Sequence, residues 1–495
     1  RKKIMNPQRI VILGGGTAGW MAANLLAHRW REHPIHITVV ESPDIGIIGV
    51  GEGSTPSLKR FFADLNIPES DWMERCKATY KVNIEFAGWS PNSQNASYSH
   101  PFISQLDTFS ERPFQVNCYT RRLGLDVETT PEKFLFNGWL AKHNKHPIAP
   151  DHFPFNVEYG YHFDSGLLGQ FLADHAQQLG VEHKQRTIEH VQQHPDDSIA
   201  ALVCDNGEVI PADLFFDCTG FRSVLLQQTL GVKFNTFKDN LYNDAAVVFP
   251  TAVDQNQPVE TQATALSNGW AWRIPLTHRT GNGYVFSQDF ISADHAETEF
   301  RAHLGLLDSD IEARHLQMNV GQVSQHWYKN CVGLGLSQGF IEPLEATALH
   351  LVQTSVERFI EEYEAGHFSN KRQDNYNNII NENFERVRDY IVAHYKLNTR
   401  DDSEYWRANR NNEHISKPLL ELLDVWFRRG DLTQHLKENG HASHFSATSW
   451  HCLLSGYGAY PPLSVNQPGT GDLYSDNQLD AFFKGCLMNF KSSRV

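Results

Sequence analysis

The chain is poor in the groups that build metal sites and disulfide frameworks. Its 495 residues hold seven cysteines, at Cys76, Cys118, Cys204, Cys218, Cys331, Cys452 and Cys486, and none forms a CxxC pair or joins histidines at ligand spacing. The 25 histidines include no HExxH pattern, so no metal site is expected. An odd, dispersed set of thiols fits reduced cysteines in a cytoplasm better than a disulfide scaffold. Positive charge is scarce too. Lys and Arg number 43 against 58 Asp and Glu, a formal net charge of −15. A nucleic-acid binder needs a basic face to neutralise phosphates, and an anionic membrane surface would be repelled, so both partner classes are excluded. No apolar run approaches the ~18 residues of a membrane span. Arg1-Lys2-Lys3 leads straight into a strand-like stretch, with no apolar core or small-residue cleavage site of a secretory signal. Internal repeats and low-complexity segments are missing as well.

Hydrophobic residues make up 40% and aromatics 12% of the chain, with 20% charged, which suits a large buried core and excludes a disordered chain. The length suggests about three domains. Along the chain, Arg9 to Leu13 is a continuous apolar run, as expected of a parallel strand buried on both faces. Trp20 to Trp30 carries Met21, Ala22 and Leu25 at spacing for one apolar helix face. A second strand spans 35–40 and closes at Glu41. Residues 92–150, rich in Ser, Asn, Pro, His and aromatics, suggest an insertion of long loops. Residues 240–292 read as β-rich. Residues 343–395 hold two long amphipathic helices, the first with Val352, Val356, Phe359 and Tyr363 on one stripe and Gly366 at its stop.

Between the first strand and helix lies Gly14-x-Gly16-x-x-Gly19, and Glu41 follows about 20 residues on. The first glycine permits a tight turn, the second lets backbone approach a pyrophosphate, and the third allows close helix–strand packing. The helix N-terminus offers N–H groups to phosphate, and Glu41 can accept from ribose hydroxyls. This α/β pattern predicts a dinucleotide. Two more stretches favour FAD over NAD. Gly49-Val50-Gly51-Glu52 forms a second Gly-rich strap, and Asp217-Cys-Thr-Gly220 ends a later strand, as in flavoprotein monooxygenases, where such a motif holds the ribityl and phosphate region. An ordinary turn or cap role for Asp217 is the alternative.

Gly269-Trp270-Ala-Trp272-Arg-Ile274-Pro275 matches the WxWxIP signature of the flavin-dependent tryptophan halogenases. Gly281 to Ser287, Asn330 to Ser337, Gly339-Phe-Ile-Glu342-Pro343-Leu344-Glu345-Ala346-Thr347 and Arg388 to Tyr395 resemble that family in the same order. The resemblance runs from about residue 9 to about 460. It implies an FAD-binding, Rossmann-like flavoprotein monooxygenase fold with a β-sheet substrate region and a helical C-terminal subdomain. The expected division is 7–90, 151–235 and 320–350 for FAD, 91–150 and 236–319 for the substrate-side insertion and sheet, and 351–495 for the helical cover.

The activity implied is FADH2-dependent halogenation. Reduced FAD and O2 give a flavin hydroperoxide, which oxidises chloride or bromide to hypohalous acid. The acid then passes through a tunnel to a separate aromatic substrate. The resemblance extends the cofactor site to Thr17, Ala18, Leu336 and Leu349. Ala78-Thr79-Tyr80-Lys81 matches the context of the family's lysine, which selects Lys81 over Lys77. Lys81 would either form a haloamine as a neutral amine or hydrogen-bond the acid as an ammonium. Neutrality at pH 7 needs a downward shift of about 3.4 units, near ~4.6 kcal/mol, and a carboxylate nearby opposes it, so the second role is expected. Glu345 would polarise the acid and accept the ring proton. Pro343 is expected to open a helix whose first turn contains Glu345, with Glu342 held out of helical geometry. Thr347 and Ala348 match the halide site, where helix N–H groups suit an anion.

The family commonly reads Glu-Ser-Thr-Gly where this chain has Glu345-Ala346-Thr347-Ala348, which leaves halide choice open. His100, Pro101 and Phe102 match an indole clamp and Trp450 a third wall. The stretch Glu438 to Trp450 lacks the Tyr pair that grips an amino-acid head group, so the expected substrate is free indole or another electron-rich arene. An arene-hydroxylating FAD monooxygenase and a flavin-binding protein that has lost catalysis are the competing readings. A separate NAD(P)H-dependent flavin reductase is the implied partner. The oligomeric state is open, with a homodimer admitted.

Overall fold

The computed structural model describes residues 7–44, 50–93, 96–441, 444–467 and 476–493. The chain divides into two units. The first comprises Arg1–Ala78, Phe163–Lys238 and Asn319–Glu385; the second comprises Thr79–His162, Asp239–Met318 and Arg386–Val495.

In the first unit the predicted apolar runs become the middle of a six-stranded sheet. The order is Trp327–Tyr328, Cys331–Gly333, Leu214–Asp217, Gln8–Leu13, Ile35–Glu41 and Glu182–Gln185. All neighbours are parallel except the first pair. Ile10 to Leu13 and Leu214 to Asp217 are buried on both faces, which explains their unbroken apolar reading. The Thr17–Arg29 helix departs from the one-faced expectation. Gly19 through Ala27 are all buried, because the helix packs between the sheet and the helices Ser165–Gln178 and Ala348–Ala365. The Ala348–Ala365 helix buries Val352, Val356, Phe359 and Tyr363 as the stripe requires, and Gly366 is its C-cap.

The second unit is built on a seven-stranded sheet. Its order is Arg314–Gln317, Ala245–Thr251, Thr280–Phe286, Gly269–Pro275, Glu260–Leu266, Asn83–Ala87 and Ser97–Pro101. Only the Glu260–Leu266 and Asn83–Ala87 pair is parallel. The described residues of 92–150 carry more regular structure than expected. They hold the strand Ser97–Pro101 and the helices Glu111–Arg122, Pro131–Phe134 and Phe136–Lys142. Their aromatic content fills a core, with Phe114, Phe134, Phe136 and Leu140 buried, instead of marking loops.

Candidate functional site

The candidate residues fall into two groups, one in each unit. In the first unit the chain leaves the Gln8–Leu13 strand through Gly14, whose φ is +117°. A side chain there would be strained and would also overlap the carbonyl of Cys218. A Cβ at Gly19 would overlap the carbonyl of Gly14, so the helix crosses the strand end at backbone distance. Around Gly16, by contrast, the space is open. Glycine is thus required on both sides of an open cradle at a helix N-terminus, a shape that fits a pyrophosphate. Gly15 belongs to the same arrangement, because a Cβ there would collide with the Glu41 carboxylate. One oxygen of that carboxylate lies 2.6 Å from His183 Nε2.

Thr17 donates its hydroxyl to the Ser165 carbonyl at 3.1 Å. Ser165 N–H donates to the Val50 carbonyl at 3.0 Å, and its Oγ accepts from Val50 N–H at 3.3 Å. One serine therefore ties the glycine turn to the second strap. Nothing in the local pattern marks Ser165 beyond its place after the buried strand ending at Asp164. Gly49 lies outside the described residues; Gly51 is buried and Glu52 partly so. Burial, with Asp164 close by, pushes the Glu52 carboxyl up to about 7.

Asp217 is fully buried, and both of its oxygens are taken. Oδ1 accepts from Thr219 N–H, Thr219 Oγ1 and Ser337 Oγ at 3.1, 2.6 and 3.1 Å. Oδ2 accepts from the N–H groups of Leu225 and Leu226 at 2.8 and 2.9 Å. Every one of these partners belongs to the protein, so the carboxylate organises the turn that follows it. It shapes the turn through Gly220, whose φ is +72°, and ties that turn to Ser337, next to Leu336. Leu336 is exposed, while Leu349 is buried.

The helix expected to open at Pro343 is also different. Pro343–Glu345 is a separate 3-10 turn, ended by Ala346 in the left-handed region at φ 55°. The long helix begins only at Ala348, with Thr347 as N-cap. Glu345 thus ends a short turn and does not lie in the first turn of the long helix. It is buried at 3% exposure. A left-handed residue followed by a right-handed one aims successive N–H groups to one side, which makes an anion-binding concavity. Thr347 is buried and its Oγ1 has no hydrogen-bond partner, whereas Ala348 is exposed.

In the second unit Lys81 has no exposure to solvent. It ends the strand Thr79–Lys81, opposite Gly160. Its Nζ stands 5.4 Å from the centre of the Phe102 ring, within cation–π range. Lys77, the alternative, is only partly buried. Pro101 is buried, and the buried His100 places Nε2 2.9 Å from Ser449 Oγ. The neighbouring Trp450 meets Tyr390 edge-on, with ring centres 4.7 Å apart. Tyr390 stacks on Phe445 at 3.7 Å and donates its hydroxyl to the Ser449 carbonyl at 2.9 Å. Tyr390 and Phe445 were not singled out from the sequence. Tyr390 lies in the Arg388 to Tyr395 stretch that carries the resemblance, whereas Phe445 lies in the stretch that departs from it.

Trp270, Trp272 and Ile274 alternate on one strand and so share a face. The two indole rings lie 6.0 Å apart. Trp270 and Ile274 are buried and Trp272 partly so; Pro275, also buried, ends the strand. Among the described residues no group of three or more His, Cys, Asp or Glu side chains is placed to hold a metal. No described helix is long and apolar enough to cross a membrane.

A glycine turn at a helix N-terminus on a parallel sheet, in the first unit, is the architecture of a nucleotide-binding α/β protein. The comparisons take this further. The tryptophan halogenase family model matches residues 9–467. The chain is 34% identical over 446 residues to tryptophan 6-halogenase SttH of Streptomyces toxytricini, covering 85% of this chain and 84% of that one. It is 34% identical over 479 residues to 7-chloro-L-tryptophan 6-halogenase KtzR of Kutzneria sp., covering 91% and 90%. The solved structure of BrvH, a flavin-dependent halogenase from Brevundimonas sp. BAL3, superposes with a TM-score of 0.80 at 31% identity, over 98% of this chain and 96% of that one. The chain belongs to the tryptophan halogenase family. It is a flavin-dependent halogenase of the indole and tryptophan type, with the FAD-binding fold of that family.

Proposed function

We propose that the enzyme uses reduced FAD, O2 and chloride or bromide to halogenate an electron-rich arene of indole type that lacks an amino-acid head group. The observation that carries the reading is the complete burial of Lys81 against Phe102. Removing an ammonium from water is costly, and a part in the chemistry is a reason for keeping one buried beside an aromatic ring.

The glycine cradle Gly14–Gly19, Glu41 and the Val50–Glu52 strap would hold FAD, which when bound and reduced supplies, with O2, the two-electron oxidation of halide. A separate flavin reductase delivers the reduced cofactor. Thr347 and the N–H groups of the following helix hold the halide. Hypohalous acid passes through the protein to Lys81. The Phe102 ring face favours the charged amine, so Lys81 acts as an ammonium that donates to the acid's oxygen. That hydrogen bond draws electrons from the halogen. The arene attacks, the O–X bond breaks and a C–X bond forms. Glu345 accepts the ring proton, the departing hydroxide takes a proton from the Lys81 ammonium, and once the Glu345 proton has restored the ammonium the products are the aryl halide and water.

The absence of a Tyr pair before Trp450, with Phe445 stacked on Tyr390 in that stretch, supports an arene without the head group. The test supplies reduced FAD, O2 and each halide with indole or tryptophan and reads products by mass spectrometry. Halogenated indole in excess over halogenated tryptophan is expected, with loss of both in Lys81→Ala while FAD is still bound. An added oxygen atom in place of halogen would make the enzyme a hydroxylase. Preference for tryptophan would sink the head-group argument alone.

A further inference from the structure

His162 is fully buried on the strand Gly160–Asp164, directly opposite Thr79, and its neighbour in register, Gly160, faces Lys81. Each ring nitrogen meets a threonine hydroxyl. Nδ1 lies 3.0 Å from Thr79 Oγ1 and Nε2 lies 2.8 Å from Thr261 Oγ1. Thr79 Oγ1 in turn lies 2.7 Å from the Pro275 carbonyl oxygen.

The direction of these bonds follows from valence. A carbonyl oxygen only accepts, so the single hydroxyl proton of Thr79 goes to Pro275. Thr79 Oγ1 must then accept from the ring, which puts the imidazole proton on Nδ1. A neutral imidazole has one such proton, so Nε2 accepts from Thr261. Burial, with the charge of Lys81 close by, holds His162 well below the usual imidazole range, which keeps the ring neutral. The proton order is therefore Thr261 to His162, His162 to Thr79, and Thr79 to Pro275.

The link joins three segments of this unit, one of which is the lysine's own strand. Thr79 begins the lysine's own strand, Pro275 ends the Trp-x-Trp-x-Ile-Pro strand, and Thr261 lies in the strand that receives the next residues. There Val82 N–H donates to the Val259 carbonyl at 2.8 Å, and Asn83 pairs with Glu260. Lys81 is thus held downstream by the sheet, while on its upstream side the histidine link adds to the short pairing with Gly160–His162 and to the packing of Tyr80 against Tyr159 and Tyr161. We propose that His162, in its Nδ1–H tautomer, is a positioning residue that fixes Lys81 for transfer of halogen to the arene. The proposal rests on the reading of Lys81 given above. Placement errors of about 1 Å in such a group cost on the order of a hundredfold in rate.

The test measures two quantities in the holoenzyme: halogenated arene, and hypohalous acid that escapes to an added 1,3-diketone scavenger. His162→Phe keeps the ring volume and removes both hydrogen bonds. It is expected to raise the ratio of escaped acid to arene product about tenfold or more, with total oxidant and arene KM within about twofold of the parent. His162→Gln, whose amide can donate to Thr79 and accept from Thr261, is expected to recover most of the transfer. Thr79→Val cuts the chain at its other end and should shift the ratio in the same direction; it decides the matter if His162→Phe does not fold. The proposal is overturned by a parental ratio in a folded His162→Phe or Thr79→Val protein. It is equally overturned if His162→Gln is no better than His162→Phe, or if total oxidant falls in step with product. Lys81→Met run beside them separates the two readings. Parental transfer in that variant removes Lys81 from the chemistry, whereas a dead Lys81→Met with a parental His162→Phe overturns only the positioning role.

Discussion

Trp272 and Gly283 stand directly opposite each other on adjacent antiparallel strands, and the indole ring lies where a side chain at 283 would be. The glycine is therefore part of the tryptophan signature, although ten residues separate the two in sequence. Gly283→Val should push the indole aside. Overpacking of this kind costs roughly 1–3 kcal/mol, so a lower unfolding midpoint and a changed tryptophan emission spectrum are expected. An unchanged spectrum would mean that the ring does not occupy that position.

Asp217 gathers donors from Thr219, Leu225, Leu226 and Ser337. Asp217→Asn turns one acceptor into a donor facing two N–H groups. Leaving buried donors unmet costs about 1–3 kcal/mol each. Chemical denaturation should show a loss of at least the lower figure, and FAD titration a weaker complex. Equal FAD affinity would separate this turn from the cofactor site.

Thr347 offers a buried hydroxyl without a partner, beside the left-handed Ala346. Thr347→Val keeps its shape and removes the donor. Halide KM should rise about tenfold or more, the worth of one hydrogen bond to a charged group, with arene KM unchanged; Thr347→Ser should stay close to the parent. Steady-state rates against chloride and bromide concentration decide it, and a rise in arene KM alone would place the hydroxyl elsewhere.

Acidity should matter to the second unit. Burial, with the Glu85 charge close by, pushes Glu260 from 4.5 up to about 7, and burial likewise pushes Glu132 to about 7. The folded protein then binds more protons than the unfolded chain between those values. Its stability therefore falls as pH rises through that window and stays lower above it. Glu260→Gln removes one of these protons. We expect a flatter pH dependence and a gain of about 1–3 kcal/mol at pH 8, after allowance for partial exposure. Urea unfolding at pH 5 and pH 8 measures it, and parallel curves for parent and variant would contradict the assignment.

The glycine turn of the first unit was legible because its logic is local. A strand buried on both faces has to be apolar, and Gly14 and Gly19 stand where any side chain would overlap backbone. The start of the helix after Glu342 was not, because proline suits the first turn of an α-helix and of a 3-10 turn equally. Only the left-handed Ala346 tells them apart, and alanine gives no sign of that conformation. Ser165, His162, His183 and Phe445 went unnoticed for a different reason. Each matters through a partner tens to hundreds of residues away, and no periodicity announces such pairs. The aromatic richness of 92–150 was misread as loop because composition alone does not separate a packed helix from an irregular segment.

Because Lys81 is sealed from bulk water, amine-directed labels should pass it over while they mark the surface lysines. Whatever labelling does occur at that one position will proceed at the rate at which its three-residue strand opens. A mass-spectrometric time course would turn this amine into a clock for local opening, readable in the resting enzyme with no substrate present.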